Sequence, residues 1–230
     1  ALGAGQMRSG IAQVSAPAGV DVSFNEHSPE KLDTAIAGIE RRLAKAARAG
    51  QIAAEVPGAA LARIGKTGSI AALGDCDLVI ETAVEDEQVK RKIFAELCPS
   101  LKKEAILGTN TSSLSITRLA ASTDRPEQFM GIHFMNPVPK MELVELIRGI
   151  ATDQETWETL HEVVRKLGKT ASSSEDFPAF IVNRILMPMI NEAVYTLYEG
   201  VGSVKSIDES LKLGANHPMG PLELADFIGL

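Results

Sequence analysis

Apolar positions along the first part of the chain fall into two alternating patterns, short continuous runs and longer segments with helical spacing. The short runs predict strands, at residues 20–26, 77–82, 105–110, 129–133 and 141–147. Between them, residues 30–49 carry leucine and isoleucine at intervals of three and four, and residues 85–97 place acids before bases, as a helix dipole favours. Strands that alternate with helices predict an α/β fold with a Rossmann-type doubly wound parallel sheet.

The pattern changes after a small polar run at residues 172–176. We take this run as a boundary between a domain at residues 1–176 and a smaller all-helical domain at residues 177–230. A helix predicted from 179 to 198 is apolar around most of its circumference, which is typical of burial against a neighbour or a second subunit. The first strand is reduced to two residues and the chain stops as a helix begins, so we expect both ends to be truncated.

Composition and charge narrow the class of protein. The 230 residues are 45% hydrophobic and 23% charged, with a net charge of −7, which favours a soluble enzyme or binding protein and argues against a nucleic-acid partner. No stretch has the length and polarity of a membrane span. Cys76 and Cys98 lack CxxC or metal-ligand spacing, so we expect no metal and a reducing compartment.

The start of the chain predicts a nucleotide site. Gly3 and Gly5 form a G-x-G turn ahead of helix-compatible residues, but Arg8 stands where the dinucleotide-binding fingerprint has its third glycine. Glu26, at the end of the next strand, suits an acid that binds ribose hydroxyls and repels a 2′-phosphate. No arginine directly follows Glu26, which favours NAD over NADP. The alternative is a surface glutamate that opens the next helix.

A histidine and a glutamate suggest acid–base chemistry. The predicted strand at 141–147 places Glu145 on one stripe with apolar residues, where a lone carboxylate is costly to bury. His133, one strand back, is the nearest candidate partner. Such a pair in an apolar cleft is a general base with an orienting acid. The alternatives are a structural ion pair and an exposed Glu145 on an edge strand.

Two further clusters have a structural and a functional interpretation. Residues 109–113, Thr-Asn-Thr-Ser-Ser, follow a predicted strand, where open α/β sheets bind ligands, but their serines also suit helix capping. Arg41, Arg42, Lys45 and Arg48 crowd one helical segment. They form either a solvated face or a site for phosphates.

Several segments together resemble the L-3-hydroxyacyl-CoA dehydrogenases, over nearly the whole chain. They are Gly3-Ala-Gly5 and the segments at 77–81, 89–94, 108–114, 131–137, 143–145, 180–184 and 218–221. The most specific is His-Phe-x-Asn-Pro at 133–137 with a glutamate twelve residues after the histidine. Within the family, the chain most resembles the 3-hydroxybutyryl-CoA type.

The resemblance implies reversible, NAD-dependent oxidation of a short-chain L-3-hydroxyacyl-CoA to the 3-ketoacyl-CoA. His133 would take the hydroxyl proton and Glu145 would stabilise the imidazolium. Ser112 and Asn183 match residues that bind the reacting oxygen or hold the substrate near it. The positions that match the cofactor cleft are Gly3, Gly5, Gln6, Met7, Glu26, Glu85, Lys90, Asn110, Ser112 and Asn136.

The resemblance also implies that Arg41, Lys45 and Arg48 bind the CoA phosphates. This assignment depends on the position of their helical segment in the chain, not on a matching motif. It implies a homodimer through the helical domain, and a bacterial cytoplasm in preference to a mitochondrial matrix. Arg8 departs from the family pattern and is expected to weaken cofactor binding. Two other functions stay open: a related dehydrogenase of a sugar acid or carnitine, and a non-catalytic, crystallin-like dinucleotide-binding protein.

Overall fold

The computed structural model describes residues 5–26 and 28–230. The chain divides into two compact units, Ala1–Pro178 and Ala179–Leu230. Gly3, predicted to bind the cofactor, and the two residues assigned to the first strand lie outside the described residues.

The first unit is built on strands that are mostly parallel. They are β1 Val22–Asn25, β2 Ile64–Thr67, β3 Leu78–Glu81, β4 Ile106–Thr109, β5 Phe129–Phe134, β6 Leu143–Arg148 and β7 Thr170–Glu175. β1 pairs with β2, and the other five lie in the order β3-β4-β5-β6-β7. Only the β5–β6 pair is antiparallel among these described strands, because the residues between them are too few for a crossover helix.

Helices connect and cover these strands. They are α1 Gln6–Ser15, α2 Pro29–Arg48, α3 Val56–Ala62, α4 Glu87–Leu97, α5 Ile116–Ala120 and α6 Gln154–Lys166. Side-chain caps fix where four of them begin: Ser28 for α2, Asp86 for α4, Ser115 for α5 and Asp153 for α6. The combination of helices with a largely parallel sheet confirms the predicted α/β fold class.

Helix α1 lies between two apolar clusters and so is held on both sides. Ile11 packs in one cluster with β5, β6 and α6, and Ala12 packs in the other with Phe24 of β1 and the apolar face of α2. A Cβ atom on Gly10 would lie 2.7 Å from Val138 Cβ, so glycine permits the close approach of α1 to the loop after β5. This packing fixes the start of α1 beside that loop.

Two strand predictions differ from the structure. The polar run at 172–176, taken as a domain boundary with no strand in it, is largely strand β7, which pairs with β6 along its whole length. Its serines are tolerated because an edge strand leaves one side and much of its surface to solvent. Strand β2 was also not predicted, since Ile64–Thr67 contains a single long apolar residue and gives no alternation.

The second unit is helical. It contains α7 Val182–Tyr198, α8 Val204–Glu209, a π-helical turn at Ser210–Gly214 and α9 Pro221–Ile228. The helix predicted from residue 179 begins at 182, because Ala179 and Phe180 have left-handed backbones with φ of 65° and 54° that cannot continue a helix. Pro188 lies inside α7.

Among the described residues, no helix combines the length and apolar character needed to cross a membrane. Within the same residues, no group of three His, Cys, Asp or Glu side chains is arranged to hold a metal ion.

Candidate active site

His133 and Glu145 form a buried pair at the centre of the first unit. The antiparallel register of β5 and β6 places them directly opposite each other. His133 Nδ1 lies 2.8 Å from Glu145 Oε2, and the two residues are 5% and 1% exposed. Because an ionised carboxylate only accepts hydrogen bonds, Nδ1 donates and the ring is held with Nε2 facing away from the glutamate.

Ser112 lies at the other nitrogen of this imidazole. Its Oγ is 3.0 Å from His133 Nε2. With the proton on Nδ1, Nε2 of the neutral ring is an acceptor, so the serine hydroxyl donates to it. Ser112, His133 and Glu145 therefore form one chain of hydrogen bonds, in which His133 Nε2 accepts from the serine and Nδ1 donates to the glutamate.

Glu85 organises the loop that carries Ser112. One carboxylate oxygen accepts hydrogen bonds from Thr111 Oγ1 at 2.5 Å, the amides of Ser112 and Ser113 at 2.8 and 2.9 Å, and Ser113 Oγ at 3.0 Å. Partial burial opposes ionisation of this carboxylate, but the hydrogen bonds outweigh it and hold the pKa of Glu85 below its usual value. The structure thus gives Glu85 a positioning role that its place in the sequence did not reveal.

Asp176 fastens the far end of the same loop to the end of β7. Its carboxylate accepts from Ser115 Oγ at 2.8 Å and from the amides of Ile116 and Thr117 at 2.9 and 2.8 Å. Burial acts to raise the pKa of Asp176, but the hydrogen bonds from these groups dominate and lower it. Residues 111–117 are therefore held by an ionised carboxylate at each end.

Asn110 and Asn136 have different surroundings. Asn110 Oδ1 accepts the backbone N–H of Phe134 at 2.9 Å, which ties the end of β4 to the end of β5 beside His133. Asn136 is exposed in the turn after β5, directly before a cis proline. The assignment of both residues to the cofactor stays a prediction.

Lys90 was expected to line the cofactor cleft. Its side chain is fully buried, and its ammonium lies 2.8 and 3.0 Å from the two oxygens of Glu81, which is equally buried. Thr109 Oγ1 adds a hydrogen bond of 2.7 Å to the same carboxylate. The ammonium of Lys90 is therefore enclosed by protein and paired with a carboxylate at the end of β3. Its assignment as a cofactor ligand stays a prediction.

The start of α1 fits a dinucleotide phosphate. Gly5 has φ of 100°, a conformation that favours glycine, and it precedes the helix without a side-chain cap. The amides of the first turn, which includes Gln6 and Met7, have no carbonyl partners within the helix. Such amides and the positive end of the helix dipole attract a pyrophosphate. The residues present therefore suit NAD at this turn.

Arg8 contacts Glu26, the residue predicted to bind the ribose. Its Nη2 lies 2.8 Å from Glu26 Oε2, the guanidinium also donates to the Asn25 carbonyl, and its centre is 4.6 Å from the middle of the Phe24 ring. The other Glu26 oxygen accepts the Ser28 amide at 3.3 Å. Sequence reasoning noticed Arg8 and Glu26 separately but missed their contact, because it depends on how α1 packs against β1.

The basic residues of α2, three of which were predicted to bind the CoA phosphates, have different surroundings. Arg41, Lys45 and Arg48 are exposed. Arg42, named in the basic segment but not assigned to substrate, lines a cavity of about 610 Å³ that Arg8 and Glu26 also line. Asn183 lies in the first turn of α7, in the second unit, and its role stays a prediction.

Comparisons with known proteins identify the same family in both parts of the chain. The family model "3-hydroxyacyl-CoA dehydrogenase, NAD binding domain" matches residues 1–176, and the model of that family's C-terminal domain matches residues 180–230. A 3-hydroxybutyryl-CoA dehydrogenase of Bradyrhizobium diazoefficiens is 64% identical over 229 residues, which is 100% of this chain and 78% of that protein. A probable 3-hydroxybutyryl-CoA dehydrogenase of Deinococcus radiodurans is 51% identical, covering 100% and 82%. The crystal structure of (S)-3-hydroxybutyryl-CoA dehydrogenase from Ralstonia eutropha superposes with a TM-score of 0.96 at 43% identity, covering 99% of this chain and 80% of that one.

Proposed function

The chain belongs to the 3-hydroxyacyl-CoA dehydrogenase family, and from that premise we propose that His133, paired with Glu145, is the general base of its reaction. It is an NAD-dependent oxidoreductase acting on 3-hydroxyacyl-CoA. The observation that supports the assignment of the base is the chain of hydrogen bonds from Ser112 through the imidazole to a buried carboxylate.

In the oxidation, His133 Nε2 removes the proton of the C3 hydroxyl as the C3–H bond breaks and the C–O bond becomes a carbonyl. Bound NAD supplies the acceptor for the hydride. Glu145 stabilises the imidazolium that results, since its carboxylate already accepts the Nδ1 proton. Ser112 donates to the reacting oxygen once substrate separates its hydroxyl from Nε2. In the reverse direction the imidazolium returns its proton to the substrate alkoxide.

We propose a short acyl chain, 3-hydroxybutyryl-CoA in particular, because relatives at 64% and 51% identity carry that name. Arg41, Lys45 and Arg48 are exposed on α2 and are our candidates for the CoA phosphates. Exposed apolar side chains on α7, including Ile185, support a homodimer through the second unit, since a face of this kind is normally covered.

Substrate preference tests the proposal. Initial rates of NADH oxidation at 340 nm would be measured with 3-ketoacyl-CoA substrates of increasing chain length and with free acetoacetate. We expect the highest kcat/KM with acetoacetyl-CoA and no measurable turnover of the free acid. A higher kcat/KM with long chains would contradict the short-chain assignment, and equal turnover of free acetoacetate would contradict the role of CoA.

A further inference from the structure

The cavity beside α1 has an excess of positive charge. Four of the residues that line it are cationic and two are acidic: Arg8, Lys31, Arg42 and Lys140, and Glu26 and Glu30. With a volume of about 610 Å³, the cavity is large enough for part of a nucleotide. Its charge balance favours an anionic group over a neutral one.

Arg8 is the charged group that sets the character of the ribose end. Its side chain is 3% exposed, and its ion pair with Glu26 leaves no net charge where a dinucleotide fold for NAD has an acid alone. A lone carboxylate rejects a 2′-phosphate by repulsion, whereas a nearby arginine is the group that accommodates one. This chain places both groups 2.8 Å apart.

Two buried donors beside this pair lack an acceptor. Among the described residues, neither Arg8 Nε nor Asn25 Nδ2 has a hydrogen-bond partner. An unsatisfied buried donor is unfavourable, and a phosphate offers several strong acceptor oxygens in the fork geometry that guanidinium prefers. The ribose hydroxyls of NAD cannot satisfy a guanidinium in this way. Both donors are enclosed by protein atoms, so a phosphate oxygen reaches the guanidinium only when Arg8 turns away from Glu26.

We propose that Arg8 determines cofactor specificity and makes the site accept NADP(H) as well as NAD(H). Glu26 binds the ribose hydroxyls of NAD, and Arg8 exchanges part of its contact with Glu26 for the 2′-phosphate of NADP. The inference rests on the cofactor cleft assigned above, and it concerns binding rather than the acid–base pair.

The test is equilibrium binding of NADH and of NADPH. Binding is measured from the fluorescence of the nucleotide, with no acyl-CoA present. For the unaltered protein we expect dissociation constants for NADH and NADPH within about tenfold of each other. In Arg8→Gly we expect NADH to bind more tightly and NADPH more weakly. Their ratio then moves by on the order of 100-fold, since loss of a charge-assisted contact and return of repulsion act together.

Matched variants separate specificity from net charge and from folding. Arg63→Gln removes a cation whose ion pair with Asp21 is exposed and which does not line the cavity, so the ratio should stay unchanged. Glu26→Gln should weaken NADH binding and leave NADPH binding intact, which tests the proposal even if Arg8→Gly proves unstable.

Three results would overturn the inference. The first is a preference for NADH above about 100-fold in the unaltered protein, the range expected when repulsion and a lost charge-assisted contact act together. The second is an unchanged ratio in Arg8→Gly. The third is binding of neither cofactor until Arg8 is replaced, which would make Arg8 an obstruction. None of these concerns His133, so a failure here is distinct from a failure of the proposed general base.

Discussion

Replacing Glu145 by glutamine removes one charge from the centre of the site and keeps the size of the side chain. Glu145 is 1% exposed, and its carboxylate accepts from His133 Nδ1 at 2.8 Å. Glutamine has the same shape and can still accept that hydrogen bond through its amide oxygen. The imidazolium formed during oxidation would then face a neutral partner, and so the transition state is affected more than cofactor binding.

The size of the effect follows from the charge-assisted hydrogen bond. A buried hydrogen bond to a charged group contributes about 1.5–3 kcal/mol. Since 1.36 kcal/mol corresponds to a tenfold change in rate, we expect kcat to fall by about 10- to 150-fold in Glu145→Gln. The dissociation constant of NADH should change by less than about twofold, because the pair is not part of the nucleotide turn.

Steady-state reduction of acetoacetyl-CoA, followed at 340 nm, gives kcat and KM for the variant. Glu142→Gln is the matched control, since Glu142 lies three residues away on the exposed side of the same segment. Its kcat should equal that of the unaltered protein. The reasoning is refuted if Glu145→Gln keeps a kcat within twofold of the unaltered protein while its melting temperature is also unchanged.

Three further predictions address the surroundings of the pair. Ser112→Ala should lower kcat by about tenfold, because the reacting oxygen loses one donor; steady-state kinetics measure this, and an unchanged kcat would exclude the role. Lys90→Ala should lower the free energy of unfolding by about 3–5 kcal/mol in urea, because it leaves a buried carboxylate unpaired. The exposed Lys92→Ala on the same helix should cost almost nothing, so equal losses would contradict the account. The lowered pKa of Asp176 contributes stability that is complete above the unfolded pKa of about 3.9 and is lost as the pH falls through the folded value. Melting temperatures of the unaltered protein and Asp176→Asn should therefore differ at pH 6 and converge in acid, and a constant difference would disprove this origin.

The parts of the site that could be predicted from sequence depend on short-range geometry. Alternation along β6 places Glu145 on an apolar stripe and makes His133, one strand back, its nearest candidate partner, and the antiparallel register of the structure sets the two residues opposite each other. The polar cluster after β4 was expected at the ligand edge of the sheet, and Ser112 does lie there against His133. Both inferences use residues close in sequence to a recognisable strand end.

The parts that sequence could not predict depend on packing between distant elements. The contact of Arg8 with Glu26 requires α1 to lie against β1, and no periodicity in either segment encodes the direction of the arginine. Burial of Lys90 could not be inferred either, because acids and bases on α4 look like a solvated face until Glu81 is placed beneath it. Strand β7 was hidden by its serines, which are tolerated only because it lies at an edge.

The direct test of the central claim is turnover of His133→Gln, a variant that can still donate a hydrogen bond to Glu145. The account predicts that kcat with acetoacetyl-CoA falls by about 10²- to 10⁴-fold while the dissociation constant of NADH stays within about twofold. The melting temperature serves as a check that the fold persists. A folded His133→Gln protein that binds NADH and keeps more than one-tenth of the original kcat would show that another group is the base.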